Sequence, residues 1–265
     1  MPRGVSRIDE AMIQRRLWTP AQIRTGLWYD CNDLAAIATG ASGVQTLADK
    51  SGNGRNATQG TPANRPQISG TIYGTATGLA FNGSTQTMGL DGTFFVNSSY
   101  WVCMAHARST SSAGFVFGAG GNNLNTNLHL GYSGPVNYKF GQWSNDIEVG
   151  APAYAAPPRM TLAVCRKMIG TGGGGLLRLD GTTVGQNTNT DGLTANSGQC
   201  IGSRGGGSFW GGVLGEVVAV ATADATLLSL DTIRKVEGYL AWKWGSVAAL
   251  PVAHPFKSRP PLIGD

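Results

Sequence analysis

Paired carboxylates are the first side chains in this sequence to test for chemistry. Asp146 and Glu148 stand two residues apart, a spacing that puts both side chains on one face of a strand. A retaining glycosidase needs two carboxyl groups about 5–5.5 Å apart. Here Ser144 occupies the preceding alternate position, and no third carboxylate follows closely. We therefore expect no catalysis from this segment and predict that the protein is not an enzyme.

The histidines and cysteines lack the spacing of a catalytic or metal site. No Gly-x-Ser-x-Gly turn precedes a helix, and the histidines are far apart, so no nucleophile has a base near it in sequence. These histidines are His106, His129 and His254. The cysteines form no Cys-x-x-Cys pair. They are Cys31, Cys103, Cys165 and Cys200. We predict free, buried thiols, as in a protein made in a reducing compartment.

A phosphate-binding loop is also absent from the sequence pattern. The glycine runs at 172–175 and 205–207 lack the lysine and the strand-to-helix setting of such a loop, so hairpin loops and no cofactor are predicted. The net charge of +5 is mild for 265 residues and does not by itself indicate nucleic-acid binding. No signal peptide or transmembrane-length apolar run is present, and no membrane insertion is expected.

The segment Asp49-Lys50-Ser51-Gly52-Asn53-Gly54 could hold a cation or a tight turn. Asp49 and Asn53 supply side-chain oxygens, but one carboxylate is too few for calcium, which takes about 6–8 oxygen ligands. Asp and Asn side chains also bind the amide groups of their own loop. We favour the structural turn and predict no metal, with Asp49 and Asn53 as the only weak candidates.

Aromatic side chains near Gly- and Asn-rich loops are the best candidates for binding a ligand. Ring faces beside amide groups hold sugars by stacking and hydrogen bonding. The alternative is that each ring fills the core, which is the commoner fate of a single ring. The candidate carbohydrate-binding residues are Tyr132, Tyr138, Trp143, Phe209 and Trp210.

The elements that must position these residues are mostly short strands. The chain has 40 glycines and only 13% charged residues, and its apolar runs are short and separated by turn signals. Such a pattern is typical of a sandwich or jelly roll. We predict strands at 27–29, 78–83, 100–108, 114–118, 128–132, 138–143, 160–166, 176–179 and 213–221.

One helix is predicted after the last strand. Apolar residues recur three or four apart over residues 224–244, Thr222 or Asp224 can cap the start, and Gly245 can end it. Trp242 and Trp244 are two apart, so we expect one to pack on the sandwich and the other on the C-terminal tail.

Both ends of the chain differ in amino-acid composition from the centre. Residues 1–25 are basic and nearly free of glycine, and Ile8 to Trp18 could form a short helix. Residues 249–265 are rich in proline and read as an extended tail. We predict that the N-terminal segment is an arm that docks on an acidic partner and is dispensable for folding. Its candidate docking residues are Arg3, Arg7, Arg15, Arg16 and Arg24.

The order of motifs resembles the laminin-G/concanavalin A-like jelly-roll domains of tailed-bacteriophage structural proteins. The resemblance rests on the Asp49–Gly54 loop and on two later stretches, Ile-Gly-Ser-Arg at 201–204 and Val-Glu-Gly-Tyr-Leu-Ala-Trp-Lys-Trp-Gly at 236–245. It implies an all-β concanavalin A-like sandwich over 26–248, with one C-terminal amphipathic helix and extended terminal arms.

The resemblance further implies a virion protein, made in the host cytoplasm and bound to other virion proteins as a homo-oligomer. A tail or neck fibre or adhesin component that contacts host glycans is one expectation. A capsid decoration protein without a ligand and a free carbohydrate-binding module are the alternatives.

Overall fold

The protein folds into a sandwich of two antiparallel sheets, as the sequence predicts. The structure is a computed structural model that describes residues 16–70, 72, 74–151, 159–205 and 207–265. In chain order the strands are β1 Leu27–Asp30, β2 Ile37–Gly40, β3 Gly43–Leu47, β4 Ala57–Thr58, β5 Gln67–Ile68, β6 Leu79–Asn82, β7 Met88–Gly89, β8 Ser99–Arg108, β9 Gly114–Gly118, β10 His129–Tyr132, β11 Asn137–Gly141, β12 Ile147–Gly150, β13 Thr161–Met168, β14 Gly174–Leu179, β15 Thr182–Asn187, β16 Cys200–Ile201 and β17 Gly211–Thr222.

Each sheet draws strands from both halves of the sequence. One sheet has the order β15-β14-β13-β8-β17-β6-β5, with β1 also paired to β17. We call it the helix-side sheet, because the helix packs on its outer face. The other, the open sheet, has the order β12-β11-β10-β9-β16-β7-β4-β3-β2. The main core fills the space between the two sheets.

The central strands of the helix-side sheet are buried on both faces. On β8, Tyr100, Val102 and Met104 belong to the core between the sheets, whereas Trp101 and Cys103 belong to a second apolar cluster under the helix. Side chains alternate between the faces of a strand, so a strand covered on both faces reads as an unbroken apolar run. The whole of β8 is buried for this reason.

The helix, α1, spans Leu230–Lys243 and begins six residues later than predicted. Neither Thr222 nor Asp224 caps it. Asp224 instead accepts a hydrogen bond from the amide of Thr226, closing a separate turn. The actual N-cap is Ser229, whose hydroxyl accepts from the amide of Thr232 at 3.2 Å. Gly245 follows the helix with φ of 68°, a left-handed conformation that suits glycine at a helix end.

The predicted apolar face of α1 does pack on the helix-side sheet. Ile233, Val236 and Leu240 are fully buried in the cluster beneath it. Trp244 lies in the same cluster and donates its indole N–H to Glu216 at 3.1 Å. Trp242 donates instead to the backbone oxygen of Phe256 in the C-terminal tail at 2.9 Å. The prediction that the two tryptophans pack on different partners is confirmed.

A buried ion pair joins α1 to β14 and to the tail. The guanidinium of Arg178 donates two hydrogen bonds to the carboxylate of Glu237, at 2.8 and 3.0 Å. The imidazole of His254 lies 3.3 Å from the same carboxylate. Next to this contact, Gly238 leaves space for Phe256, since a Cβ on Gly238 would lie 2.6 Å from that of Phe256. The tail is therefore part of the folded domain and not a free extension.

The N-terminal segment is also packed where it is described. Trp18 is 5% exposed and packs edge-on against Tyr239 at 6.2 Å between ring centroids. Leu17 forms a β-bridge with Leu262 in the tail. The expectation that all of residues 1–25 lie outside the core is therefore wrong for Trp18. Residues 1–15, including most of the predicted Ile8–Trp18 helix, lie outside the described residues, and 16–18 are not helical.

All four cysteines are free and buried, as predicted. Burial raises the pKa of Cys165 to about 12 and that of Cys31 well above its usual value, which makes both thiols inert at neutral pH. No helix in the described part of the chain has the length and apolar character needed to cross a membrane.

Candidate functional site

A row of mostly small residues crosses the outer face of the open sheet. Direct cross-strand pairs link one residue from each of six adjacent strands, β4, β7, β16, β9, β10 and β11. The chain neighbours on these strands belong to the core, so the row faces away from it. With strands about 4.8 Å apart, the row is ~24 Å long. Its members, in order, are Thr58, Gly89, Cys200, Gly118, His129 and Gly141.

The row is open at the Thr58 end and covered at the other. A Cβ added to Gly89 would meet only the backbone oxygen of Thr58, at 3.9 Å. By contrast, Gly118 lies beneath Arg204, and Gly141 lies beneath the imidazole of His129. A shallow groove of about 550 Å³ lies over the open part, which we call the open-sheet groove. Its floor is backbone and small side chains, so an extended ligand could lie flat across the strands.

Hydroxyl and amide groups line the open-sheet groove. Gln59 is held in place, because its amide nitrogen donates to the backbone oxygen of Thr87 at 2.8 Å. Gln199 is 1% exposed, and neither its amide nitrogen nor its amide oxygen has a partner within the described residues. A buried polar group without a partner costs about 1–3 kcal/mol. Both amide atoms are themselves buried, so a ligand in the groove reaches them only if a neighbouring side chain moves.

An arginine held between two rings stands at the covered end of the row. The guanidinium of Arg204 lies 5.0 Å from the ring centroid of Phe115 and 5.2 Å from that of Trp143. His129 contacts both rings edge-on, at 5.2 and 6.4 Å between centroids. We call Phe115, Trp143 and Arg204 the arginine clamp. Ser203 and Gly205, the residues on either side of Arg204, line the open-sheet groove, so groove and clamp are contiguous.

Trp143 reaches the clamp through an unusual backbone conformation. Trp143 and Ser144 follow each other with φ of 47° and 64°, at the tip of the β11–β12 hairpin. Two successive left-handed residues are usual in tight hairpins, but Asn-Gly is the sequence that adopts them most readily. A bulky residue with positive φ is strained, and such strain concentrates at functional sites. The turn places the indole beside Arg204, and it carries backbone strain that an Asn-Gly sequence in the same conformation would not have.

The paired carboxylates that open the sequence analysis lie next to this clamp and share one lysine. The ammonium of Lys139 lies 3.2 Å from Asp146 and 2.9 Å from Glu148. Burial pushes the pKa of Asp146 upward, but His129 and Lys139 more than offset it and leave that pKa lowered. Hydrogen bonding to Lys139 lowers the pKa of Glu148. Both groups are therefore ionised at neutral pH, and neither can act as the proton donor of a glycosidase.

Three of the five aromatic candidates are buried and cannot stack on a sugar. Tyr132, Tyr138 and Trp210 are at most 2% exposed. They surround His106 in the core, at 5.8, 5.8 and 5.9 Å between ring centroids. Residues two apart on a strand face the same side of the sheet. Tyr132 is two residues from Leu130 and Tyr138 is two residues from Phe140, and both of these belong to the core, so the two tyrosines point inward. The prediction of a stacking role is wrong for these three rings.

Trp143 and Phe209 remain as partly exposed rings. Trp143 belongs to the arginine clamp, whereas Phe209 does not line the open-sheet groove. The sequence analysis missed Gln199 and Arg204. The Ile-Gly-Ser-Arg motif contains Arg204, but nothing in its local pattern shows that two distant rings would flank the guanidinium.

The terminal arginines fall into two groups. Arg3, Arg7 and Arg15 lie outside the described residues, while Arg16 and Arg24 are exposed. Arg24 lines a small polar cavity of about 250 Å³ together with Asn53 and Arg55. A docking role for these arginines stays a prediction.

The Asp49 loop is a structural turn. The carboxylate of Asp49 accepts from the amides of Trp28, Ser51 and Arg55 at 3.0, 2.9 and 3.1 Å. The amide of Asn53 donates to the backbone oxygen of Thr25 at 3.0 Å. These contacts tie the loop to the start of β1. No cluster of three or more potential metal ligands occurs in the described ranges.

Comparison with known proteins identifies the architecture. No family model and no curated protein matches the sequence. Among solved structures, the binding domain of botulinum neurotoxin serotype D is 10% identical with a TM-score of 0.56, covering 84% of this chain and 51% of its own. An arabinofuranosidase complexed with arabinofuranosyl-α-1,2-xylobiose is 15% identical with a TM-score of 0.51, covering 73% and 49%. Domain 4 of a GH43 extracellular arabinanase from Geobacillus stearothermophilus, complexed with arabinotriose, is 16% identical with a TM-score of 0.49, covering 77% and 97%.

The likenesses to the neurotoxin domain and to the arabinofuranosidase, both with a TM-score above 0.5, establish the fold. The chain spans about half the length of the neurotoxin domain and of the arabinofuranosidase. Identities this low say nothing direct about ligands or activity. The two-sheet arrangement with one helix in the described residues is that of a jelly-roll sandwich.

Proposed function

We propose that this protein binds glycans in the open-sheet groove and catalyses no reaction on them. The observation that carries the proposal is a shallow groove with a floor of backbone and small side chains, bordered by the hydroxyl and amide groups of Thr58, Gln59 and Thr87. A sugar chain presents many hydroxyl groups, each of which can donate to or accept from the hydroxyl, amide and backbone groups of such a surface. The glycine-lined floor lets a flat ring approach the backbone, because Gly89 has open space above it.

The fold supports the same proposal. Of the solved structures compared above, two have a TM-score above 0.5; one is named for its complex with an arabinofuranosyl oligosaccharide and the other for a binding domain. The acids next to the groove are held ionised by Lys139, which argues against hydrolysis. Recognition without turnover is the function that these groups can perform.

An oligosaccharide array followed by an NMR titration tests this proposal. Amide signals of Thr58, Gly89 and Cys200 should shift on adding a bound saccharide, while those of α1 should not. Thr58→Val keeps the side-chain shape and removes an exposed hydroxyl that lines the groove, so we expect weaker binding without loss of fold. An array with no bound saccharide, or shifts confined to another face of the sandwich, would contradict the proposal.

A second candidate function is a phage virion component anchored through the chain ends. The observation that favours it is an apolar groove of about 390 Å³ where the two ends meet. Leu17 and Trp242 line it and are 61% and 38% exposed. Arg15 and Arg16 directly precede Leu17 in the sequence. We propose as its occupant a virion protein that presents apolar side chains ringed by carboxylates, on a homo-oligomeric assembly.

Deleting residues 2–15 tests the anchoring role. This deletion keeps the buried Trp18, so we expect the melting temperature to stay unchanged. A deletion through residue 24 removes Trp18 and its packing, and should lower the melting temperature. The shorter deletion should be absent from purified particles when measured by mass spectrometry. Its incorporation at the normal copy number would refute the anchoring role and leave the glycan-binding proposal untouched.

A further inference from the structure

The guanidinium of Arg204 has no charged or hydrogen-bonding partner in the part of the chain that the structure describes, although it is half-buried. Its ordered contacts are the rings of Phe115 and Trp143, at 5.0 and 5.2 Å. The nearby carboxylates of Asp146 and Glu148 are both taken by Lys139. Arg204 therefore differs from Arg178, whose guanidinium is neutralised by Glu237.

Stacking restrains an arginine without using its hydrogen bonds. The five N–H donors lie in the plane of the guanidinium, so contact with a ring face leaves the donating edges free. Holding a long side chain in one conformation normally costs entropy when a ligand binds. In the clamp the two rings already order the Arg204 side chain before a ligand binds, and the strained turn at Trp143 holds one of those rings in place. Such an arginine is preorganised for an anion that offers two oxygens side by side, such as a carboxylate or a sulfate.

The position of the clamp links this anion to the open-sheet groove. Arg204 lies over Gly118, and the next member of the same row is Cys200, on the groove floor. A ligand lying along the row from Gly89 would meet the clamp one strand beyond Cys200. Few other charges compete there, because Lys139 and its two carboxylates bind one another.

We infer that the glycan bound in the open-sheet groove is acidic and that its carboxylate or sulfate group pairs with Arg204. This inference rests on the proposed function and adds the charge class of the ligand. An ion pair with a guanidinium fork is short and directional, and it discriminates against the neutral analogue. The same geometry admits a uronic-acid carboxylate or a sulfate ester, and the experiment separates these two sources.

Matched saccharide pairs measure the contribution of the charge. Polygalacturonate fragments and their methyl esters differ by the carboxylate alone, and dextran sulfate and dextran differ by the sulfate. Binding is measured by calorimetry at physiological salt, since the net charge of +5 attracts any polyanion at low salt. We expect one charged member to bind about 10- to 100-fold more tightly than its neutral counterpart.

Two variants separate a specific ion pair from bulk attraction. Arg204→Gln should abolish the preference for the charged saccharide, and Arg204→Lys should restore it only in part, because an ammonium cannot form the two-pronged contact. Arg234→Gln changes the net charge equally on exposed α1, away from the clamp, and should have no effect. Thermal melts confirm that each variant is folded.

The outcomes distinguish this inference from the proposed function. Binding of neutral saccharides with an affinity that Arg204→Gln leaves unchanged would overturn the inference and keep the glycan-binding proposal. Equal losses in Arg204→Gln and Arg234→Gln would reduce the effect to bulk charge and also overturn it. An absence of binding to any saccharide, neutral or acidic, would refute both.

Discussion

The carboxylate of Glu216 lies 2.7 Å from the ammonium of Lys243, with the side chain of Glu216 completely buried between β17 and α1. Trp28 and Tyr239 donate to its other oxygen, at 2.7 and 2.9 Å. Burial raises the pKa of Glu216, while Lys243 opposes that rise. Three residues of the C-terminal motif, Tyr239, Lys243 and Trp244, therefore contact this buried acid, and Lys243 also lies 2.7 Å from Asp30.

Replacing Glu216 should destabilise the fold strongly. Glu216→Gln keeps the shape but turns a donor toward Lys243, and breaking a buried ion pair costs ~3–5 kcal/mol. Chemical denaturation measures the free energy of unfolding. Glu148→Gln removes a comparable ion pair at the exposed surface and should cost less than about 1 kcal/mol. Equal losses in the two variants would show that the Glu216 network is not specially stabilising.

Gly238→Ala should destabilise the protein although it lies inside a helix. Alanine in place of a helical glycine usually stabilises by about 1 kcal/mol. Here the new Cβ would lie 2.6 Å from that of Phe256, so the tail must move away from α1. Gly60→Ala is the control, because nothing lies within 4 Å of its added Cβ. A higher melting temperature for Gly238→Ala would contradict this prediction, because it would show that Phe256 and the tail can shift away from α1 without loss of stability.

His106 should make the protein sensitive to acid. Burial, with help from Arg108 and Arg159, lowers the pKa of His106 from 6.5 to about 3. Between these two values the unfolded chain binds a proton that the folded protein refuses, so stability is fully present above pH 6.5 and falls as the pH is lowered. From pH 6.5 to about pH 4.5 the loss is roughly 3 kcal/mol.

The His106→Gln variant isolates this contribution to acid sensitivity. Urea denaturation across the same pH range should give a shallower decline for the variant than for the natural protein. Parallel curves would show that other groups cause the acid sensitivity.

No hydrolysis of the bound glycan is expected. Since Lys139 keeps both Asp146 and Glu148 ionised, neither carries the proton that a leaving group needs. Reducing ends released from a polysaccharide panel should remain at the level without protein. Turnover that disappears in Glu148→Gln would contradict this expectation and would show that the paired carboxylates are catalytic.

The sequence predicts the elements whose signals are local. The long strands β8, β13 and β17 and the apolar face of α1 follow from patterns within a dozen residues. The start of α1 was missed because Asp224 and Ser229 are both good caps, and only packing decides between them. The burial of Tyr132 and Tyr138 follows from strand alternation, since each lies two residues from a strongly apolar residue on the same strand, Leu130 or Phe140.

The candidate site could not be predicted in the same way. Thr58, Gly89 and Cys200 sit side by side, yet they come from strands of two residues each that are far apart in sequence. A two-residue strand has no periodicity to detect. Arg204 acquires its role from Phe115 and Trp143, which lie far from it in the sequence, and no local pattern around Arg204 indicates this contact.

Obstruction of the open-sheet groove tests its role most directly. Gly89→Tyr places a ring on the groove floor, where the space above the backbone is open, and tyrosine suits a strand. Gly150→Tyr is the matched control, because Gly150 lies at the edge of the same sheet, outside the groove, and is equally unobstructed. We predict that calorimetry with the saccharide identified on the array will show binding abolished by Gly89→Tyr and unchanged by Gly150→Tyr. Normal binding by a folded Gly89→Tyr protein would contradict glycan recognition in this groove.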